Sequence, residues 1–196
     1  MRVRAAAFLL TVTAAFLAVA PQATSAAGDG GRDNVVAVTN QLDQSTKIQA
    51  RTALAEDYGP TVGNQNVASA RAQCADCRTV AVAVELVIVE SSVRDYQPAN
   101  AAVAVNDNCI RCQTFAYARQ EIFDPGRMID LSRDDRVADI QNQIAAVAGS
   151  NEPFDQMTAD LDGLVQQLVN DINEDIARAN GRPGANDRRQ TDTRSA

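Results

Sequence analysis

Residues 74–83 read CADCRTVAVA, and residues 109–118, which lie 35 positions later, read CIRCQTFAYA. The two cysteines, the threonine and two alanines align without a gap, and all four cysteines of the 196-residue chain lie in these two copies. Cysteine pairs form disulfides, bind metals or exchange electrons, so this repeat is the best guide to the architecture. Each CxxC motif lies between two predicted strands. We therefore interpret each copy as a β-hairpin with the cysteines at its tip.

Alternating side chains predict the strands of the β region, which we assign to residues 34–124. Over residues 78–90, bulky side chains alternate with small or polar ones, as in a strand with two different faces. The bulky face is Val80, Val82, Val84, Leu86 and Ile88, and the other face is Thr79, Ala81, Ala83 and Glu85. About six strands are predicted: 34–39, 47–54, 66–73, 78–90, 101–105 and 114–123. With hairpins as the unit, the sheet should be mainly antiparallel.

After residue 124 the apolar pattern changes to a helical period, and residues 131–179 are predicted to form a helical hairpin. Ser132 with Asp135 resembles a capping box at the start of the first helix. The apolar stripe of the second helix is Phe154, Met157, Leu161, Leu164, Leu168 and Ile172. We expect the helices to cover the sheet or each other. Self-association through this stripe is the alternative.

The ends of the chain differ from its centre in composition. Residues 1–27 have two arginines, an uncharged apolar run and small residues before position 28, which is typical of a secretory signal peptide. Residues 28–179 are predicted to form a single α+β domain, and residues 180–196 a disordered tail. No segment after the signal peptide is apolar enough to cross a membrane. We therefore expect a secreted or cell-envelope-associated protein.

Composition excludes several classes of function. The net charge is −7, and such an acidic surface repels nucleic acid. The chain has no histidine, which removes Ser-His-Asp and Cys-His catalysis, histidine metal sites and the HExxH zinc protease motif. We identify no catalytic residue and no required cofactor, so we do not expect an enzyme.

Acidic groups offer only weak candidates for a site. Asp134 with Asp135, and Asp171 with Glu174 and Asp175, could bind calcium, but neither group matches an EF-hand loop. We interpret them as solvated helix faces and first turns. Nothing in the sequence pairs Glu85 with another carboxylate.

The four cysteines Cys74, Cys77, Cys109 and Cys112 allow three interpretations. They form two disulfides, either within each CxxC motif or between the two tips, which suits an exported protein. Alternatively, the two motifs face each other and supply four thiolates to one zinc ion. In the third interpretation, one CxxC pair carries out thiol–disulfide exchange, which needs a cysteine of lowered pKa.

Together with the asparagine-led segments before them (residues 66–68 and 100–106), the two CxxC copies resemble a group of exported, uncharacterised bacterial proteins of actinobacterial type. Similar segments occur in proteins described as peptide zinc metalloproteases. The resemblance spans roughly residues 34–172 and implies an exported or envelope-linked domain. It supplies no catalytic residue, because the protease motif requires histidine. The expected function is a non-enzymatic structural or binding protein that contacts another protein or an envelope component.

Overall fold

The computed structural model describes residues 33–57, 59–126, 129, 131, 134–181 and 188–195. The predicted signal peptide lies outside this part of the chain. The strands and helices are, in chain order, β1 (Asn34–Asn40), β2 (Thr46–Asp57), β3 (Thr61–Val62), β4 (Gln65–Ala72), β5 (Arg78–Val89), β6 (Asp95–Tyr96), β7 (Ala99–Asn106), β8 (Gln113–Phe123), α1 (Asp135–Ala148), α2 (Phe154–Ala179) and β9 (Arg188–Ser195).

The strands wind as three stacked coils. Sheet A contains β1, β4 and β7 in that order, sheet B contains β2, β5, β8 and β9, and the short sheet C contains β3 and β6. The chain runs along sheet A, turns a corner and runs along sheet B. It then begins the next coil, 32 to 35 residues further on, in parallel with the one before. Successive coils, which we call rungs, are therefore about 4.8 Å apart. The architecture is a parallel β-solenoid of three rungs.

The α+β class is confirmed, but the antiparallel sheet of CxxC-tipped hairpins is wrong. The strands before and after each CxxC motif belong to different sheets, so the cysteines lie at a corner and not at a hairpin tip. Equal residues of successive rungs pair instead: Thr79 lies opposite Thr114, and Ala81 lies opposite Ala116. Only β8 and β9 pair antiparallel among the described strands. Alternation could not distinguish the two arrangements, because it reports that a segment is extended and not which strand it pairs with.

The six predicted strands all exist, and the two-faced pattern of residues 78–90 has a clear cause. Its bulky face is buried under the two helices, within the main apolar core. Its small face points into the solenoid, where the space between sheets A and B is filled by small side chains. These are Val36, Val38, Ala68, Ala70, Ala81, Ala83, Ala102, Ala116 and Ala118. Small interior residues let the two sheets approach closely, whereas the helix-covered side needs larger side chains to fill the gap.

The helical hairpin is confirmed, and the apolar stripes of its helices pack inside the protein. Met157, Leu161, Leu168 and Ile172 are fully buried in the same core as the bulky face of sheet B. This agrees with the interpretation that the helices cover the sheet and each other. The first helix is capped by Asp134, whose carboxylate accepts a hydrogen bond from the Arg136 N–H. The predicted cap, Ser132, lies outside the described residues. Neither helix has the length and hydropathy needed to cross a membrane within the part of the chain described.

The C-terminal segment differs from the sequence-based expectation. Disorder is predicted from residue 180, and α2 does end at Ala179. Over Arg188–Ser195, however, the structure contains strand β9, which pairs antiparallel with β8 over eight residues. A polar sequence without apolar residues does not indicate a strand, because the backbone hydrogen bonds that form it depend on the free edge of β8.

Three asparagines link the two sheets through the inside of the solenoid. Asn34, Asn66 and Asn100 stack in register as the asparagine ladder. The Asn34 Nδ2 donates to Asn66 Oδ1 at 2.8 Å, and Asn66 Nδ2 donates to Asn100 Oδ1 at 2.7 Å. Each amide also donates to a carbonyl oxygen of sheet B. The ladder therefore spans the interior as well as joining the rungs. Its spacing of 32 and 34 residues was a visible sign of a third, cysteine-free copy of the repeat.

Candidate functional site

The corner between sheets A and B has the same backbone conformation in each rung. Its third residue is Gln44, Asp76 or Arg111, with φ between 53° and 54°. These left-handed residues turn the chain sharply while keeping its direction of winding. The Gln44 N–H donates to the Ala75 carbonyl at 2.9 Å, and the Asp76 N–H donates to the Ile110 carbonyl at 2.8 Å. The corners are consequently hydrogen-bonded into a stack, like the strands that flank them.

In each CxxC motif, the sulfurs of the two cysteines lie at disulfide-bonding distance from each other. Cys74 pairs with Cys77 and Cys109 with Cys112, with Cα–Cα distances of 6.1 and 5.9 Å. Both distances lie in the range that a disulfide spans without moving the backbone. Of the three connectivities that four cysteines allow, the structure shows the one within each motif and neither of the two between motifs.

The two pairs lie against each other and differ in exposure. All four sulfurs lie within 4.8 Å of one another, and Cys77 Sγ is 3.4 Å from Cys112 Sγ. Cys74 and Cys77 are only 5% and 3% exposed, whereas Cys109 and Cys112 are half-buried. We call Cys74–Cys77 the inner pair and Cys109–Cys112 the outer pair. A reagent from solution should therefore meet the outer pair first.

The corner of the first rung has no cysteines. Leu42 and Ser45 hold the positions that cysteines hold in the second and third rungs, as the strand register shows. Ser45 donates its hydroxyl hydrogen bond to Asn40 Oδ1 at 3.0 Å, and the Asn40 amide donates to the Arg78 carbonyl at 3.3 Å. Side-chain hydrogen bonds thus take the place of a disulfide at this corner. This copy carries no CxxC motif, so the cysteine repeat does not reveal it in the sequence.

A polar cavity of about 270 Å³ lies beside the cysteines. Cys77, Arg78 and Arg111 are among its lining residues. Arg111 of the third rung forms an ion pair with Asp76 of the second rung. The Arg111 guanidinium holds the pKa of that carboxyl below its usual range. Arg78 donates to Gln113 Oε1 at 2.9 Å and lies 4.3 Å from the centre of the Phe154 ring. Asp76 balances the charge of Arg111, so Arg78 is the cation next to Cys77 that would favour a thiolate there.

Glu85 is a buried carboxylate inside the solenoid. Its side chain is fully buried, and Gln120 Nε2 donates to Oε2 at 2.7 Å. Asn64 Nδ2 lies 3.5 Å from the other carboxylate oxygen. Burial raises the pKa of Glu85 to about 7, against the lowering effect of these two hydrogen bonds. The carboxylate is enclosed by amides within the solenoid.

The acidic groups considered for calcium surround an arginine. Arg136 contacts Asp134 at 3.1 Å and Asp175 at 2.7 Å, with Asp171 and Glu174 within 3.7 Å. Hydrogen bonds from Arg136 are the main reason that the pKa of Asp134 falls to about 2. The positive charge at the centre of this cluster is a guanidinium, which joins the start of α1 to the end of α2. The interpretation of these residues as helix faces and first turns therefore suits the geometry better than a calcium site.

Comparisons with protein-family models, with curated proteins and with solved structures gave no match to this chain.

Proposed function

We propose that this chain is an exported, non-enzymatic structural or binding protein, a three-rung solenoid whose corners are braced by two stacked disulfides. The observation that carries the proposal is the closure of both CxxC motifs at one corner, with the inner pair buried. Closed, buried disulfides persist in oxidising compartments and are rare in reducing ones. The predicted signal peptide supports the same compartment.

The remaining polar groups support a role without catalysis. Glu85 is enclosed by Gln120 and Asn64, and the acidic cluster at the helices is ion-paired with Arg136. The outer face of sheet A is regular and carries exposed valines, Val35, Val103 and Val105, on its first and third rungs. A regular, partly apolar face is typical of solenoids that act through contact with another molecule.

Intact mass of the protein secreted by its natural host tests the proposal directly. We expect the mass of the chain without its first 26 or 27 residues, and four hydrogens fewer than the fully reduced form. Iodoacetamide should add nothing until the protein has been reduced. A denatured and reduced aliquot, which should gain four alkyl groups, is the control. Four thiols that react without reductant would contradict the proposal.

Removal of each cysteine pair should reveal the difference in burial. We expect Cys109→Ala with Cys112→Ala to lower the free energy of unfolding by about 2 kcal/mol, the value for a closed loop of about four residues. Cys74→Ala with Cys77→Ala should cost about 1 kcal/mol more, because it also empties a buried corner. Urea denaturation of the two double variants measures both values. An equal or reversed order would show that burial adds nothing to the contribution of the inner pair.

Thiol–disulfide exchange is the second candidate, and one observation favours it. The outer pair is half-buried, and Cys112 Sγ lies 3.4 Å from Cys77 Sγ. A thiolate released at Cys112 could attack Cys77, form a Cys77–Cys112 disulfide and release the Cys74 thiolate. An insulin-reduction assay with a dithiol as the electron source tests this activity. Turnover that disappears in Cys109→Ser with Cys112→Ser would support exchange, and turnover no greater than that of the dithiol alone would exclude it.

A further inference from the structure

We propose that the four cysteines form a redox-switched metal site, which holds two disulfides when oxidised and binds one zinc ion through four thiolates when reduced. The proposal concerns the reduced protein and does not depend on the disulfides having any role in the oxidised one. The metal class is a soft, thiophilic divalent ion in tetrahedral coordination.

The sulfur cluster has nearly the size of a zinc site. In a tetrahedral site with Zn–S distances of about 2.3 Å, neighbouring sulfurs are about 3.8 Å apart. The four sulfurs here all lie within 4.8 Å of one another, and the contact between Cys77 and Cys112 is already 3.4 Å. A disulfide holds its sulfurs about 2.0 Å apart, so zinc binding requires the sulfurs of each pair to separate by about 1.8 Å. Rotation of the side chains is sufficient for such a movement.

The backbone brings the two CxxC turns, which carry the ligands, next to each other. Zinc sites with four cysteines use two C-x-x-C turns that face one another. Here the two turns are in parallel register, with Ala75 opposite Ile110, and are joined by the hydrogen bond from Asp76 N–H to the Ile110 carbonyl. Their third residues have the same left-handed φ, 53° and 54°. Because hydrogen bonds hold the turns together independently of sulfur, they should remain stacked after reduction.

Charged side chains and backbone carbonyl oxygens surround the sulfurs. Four thiolates with one Zn²⁺ carry a net charge of −2, and Arg78 lines the cavity beside Cys77, together with the ion pair of Arg111 and Asp76. Cys74 Sγ lies 3.3 Å from the Asn40 carbonyl oxygen, and Cys112 Sγ lies 2.9 Å from the Cys74 carbonyl oxygen. After reduction these oxygens can accept hydrogen bonds from the thiols, and the Arg78 guanidinium can offset part of the thiolate charge. The half-buried outer pair is the point at which both reductant and metal can enter.

The conversion balances with a phosphine as reductant. Each disulfide accepts two electrons and two protons, and each phosphine is oxidised to its oxide with an oxygen from water. Four thiols result. Zn²⁺ then displaces four protons as the four sulfurs bind it, so metal uptake should strengthen as the pH rises.

Cobalt is the direct probe of the site, because Co²⁺ in tetrahedral thiolate coordination absorbs strongly in the visible. The mature chain is reduced with a phosphine without oxygen, kept folded, and titrated with Co²⁺ and then Zn²⁺. We expect one Co²⁺ per chain, thiolate-to-cobalt charge-transfer bands, and loss of colour when Zn²⁺ is added. Native mass spectrometry should find one zinc in the reduced protein. In the oxidised protein it should find none.

Two variants separate the cluster from the rest of the corner. Cys109→Ser with Cys112→Ser should lose tight cobalt binding, at least a hundredfold in affinity. Ile110→Ser, at an exposed position of the same turn, keeps all four cysteines and should bind like the wild type. In the wild type, one equivalent of Zn²⁺ should protect all four thiols from alkylation, a result that does not depend on any variant folding.

Three results would overturn the proposal. These are no cobalt uptake by the reduced, folded protein, uptake unchanged in the double serine variant, or disulfides that a phosphine reduces only when the chain unfolds. The proposed function is tested separately by the mass of the oxidised protein, so either proposal can fail without the other.

Discussion

Asn66→Ala should lower the free energy of unfolding by about 3–5 kcal/mol, the largest loss that we expect from a single polar substitution in this protein. The side chain of Asn66 is buried at the centre of the asparagine ladder. It accepts a hydrogen bond from Asn34 and donates to Asn100 and to carbonyl oxygens of Ala83 and Arg119. Alanine leaves several of these buried groups without their partner, and each such group costs about 1–3 kcal/mol. Urea denaturation followed by circular dichroism measures the change.

Gln49→Ala is the matched control, because it removes an exposed amide from strand β2. We expect it to change stability by less than about 0.5 kcal/mol. If Asn66→Ala cost less than about 1 kcal/mol, the ladder would contribute little to holding sheets A and B together, and small side-chain packing alone would account for the interior.

Glu85→Gln should stabilise the protein at pH 8 and leave it nearly unchanged at pH 4. The ordinary pKa of this carboxyl is 4.5, and burial raises it to about 7 in the folded chain. The unfolded chain therefore loses this proton at a lower pH than the folded chain does. The free energy of unfolding is consequently highest below pH 4.5 and falls as the pH rises toward 7. Above pH 7 the loss is constant, at most about 3 kcal/mol for a shift of this size.

The amide of glutamine fits the environment of Glu85. Its carbonyl oxygen can accept the existing hydrogen bond from Gln120. Its N–H₂ group faces Asn64, whose buried Oδ1 has no hydrogen-bond partner, and rotation of the Asn64 amide would let this oxygen accept. We therefore expect a gain of about 2–3 kcal/mol at pH 8.

Denaturation curves of wild type and variant between pH 4 and pH 9 measure this effect. Their difference should increase from about pH 4.5 to pH 7 and then become constant. Glu90→Gln, at a half-buried position just after β5, is the control and should follow the wild-type pH dependence. A constant difference between Glu85→Gln and wild type across the whole range would show that Glu85 does not titrate in this window.

Much of the local structure could be predicted because local patterns produce it. Alternation of Val80, Val82 and Val84 with alanines correctly indicated a strand with one bulky and one small face. The period of three and four in residues 154–172 likewise indicated a helix with one buried side. These patterns follow from which side of an element is removed from water, and that information is present in a short stretch of chain.

The candidate site was identified only in part. The four cysteines were recognised, but their arrangement at one corner depends on the parallel register of distant segments. The first-rung corner at Leu42 and Ser45 has no cysteine and gave no motif. Glu85 was recognised as a strand residue, but its raised pKa arises from burial in the folded solenoid, where hydrogen bonds from Gln120 and Asn64, 35 and 21 positions away in the chain, only partly offset the rise.

The sequence by itself determined six of the nine described strands, both helices, the two faces of the central strand and the chemistry that the absence of histidine excludes. Only the tertiary structure decided that the strands coil in parallel, that asparagines cross the interior, and that four sulfurs meet at one corner. The reason is physical. A strand's alternation depends on its own burial, whereas its pairing depends on hydrogen bonds with residues more than 30 positions away. Antiparallel hairpins and parallel coils both satisfy the backbone hydrogen bonds of a strand, so the choice depends on how whole rungs stack.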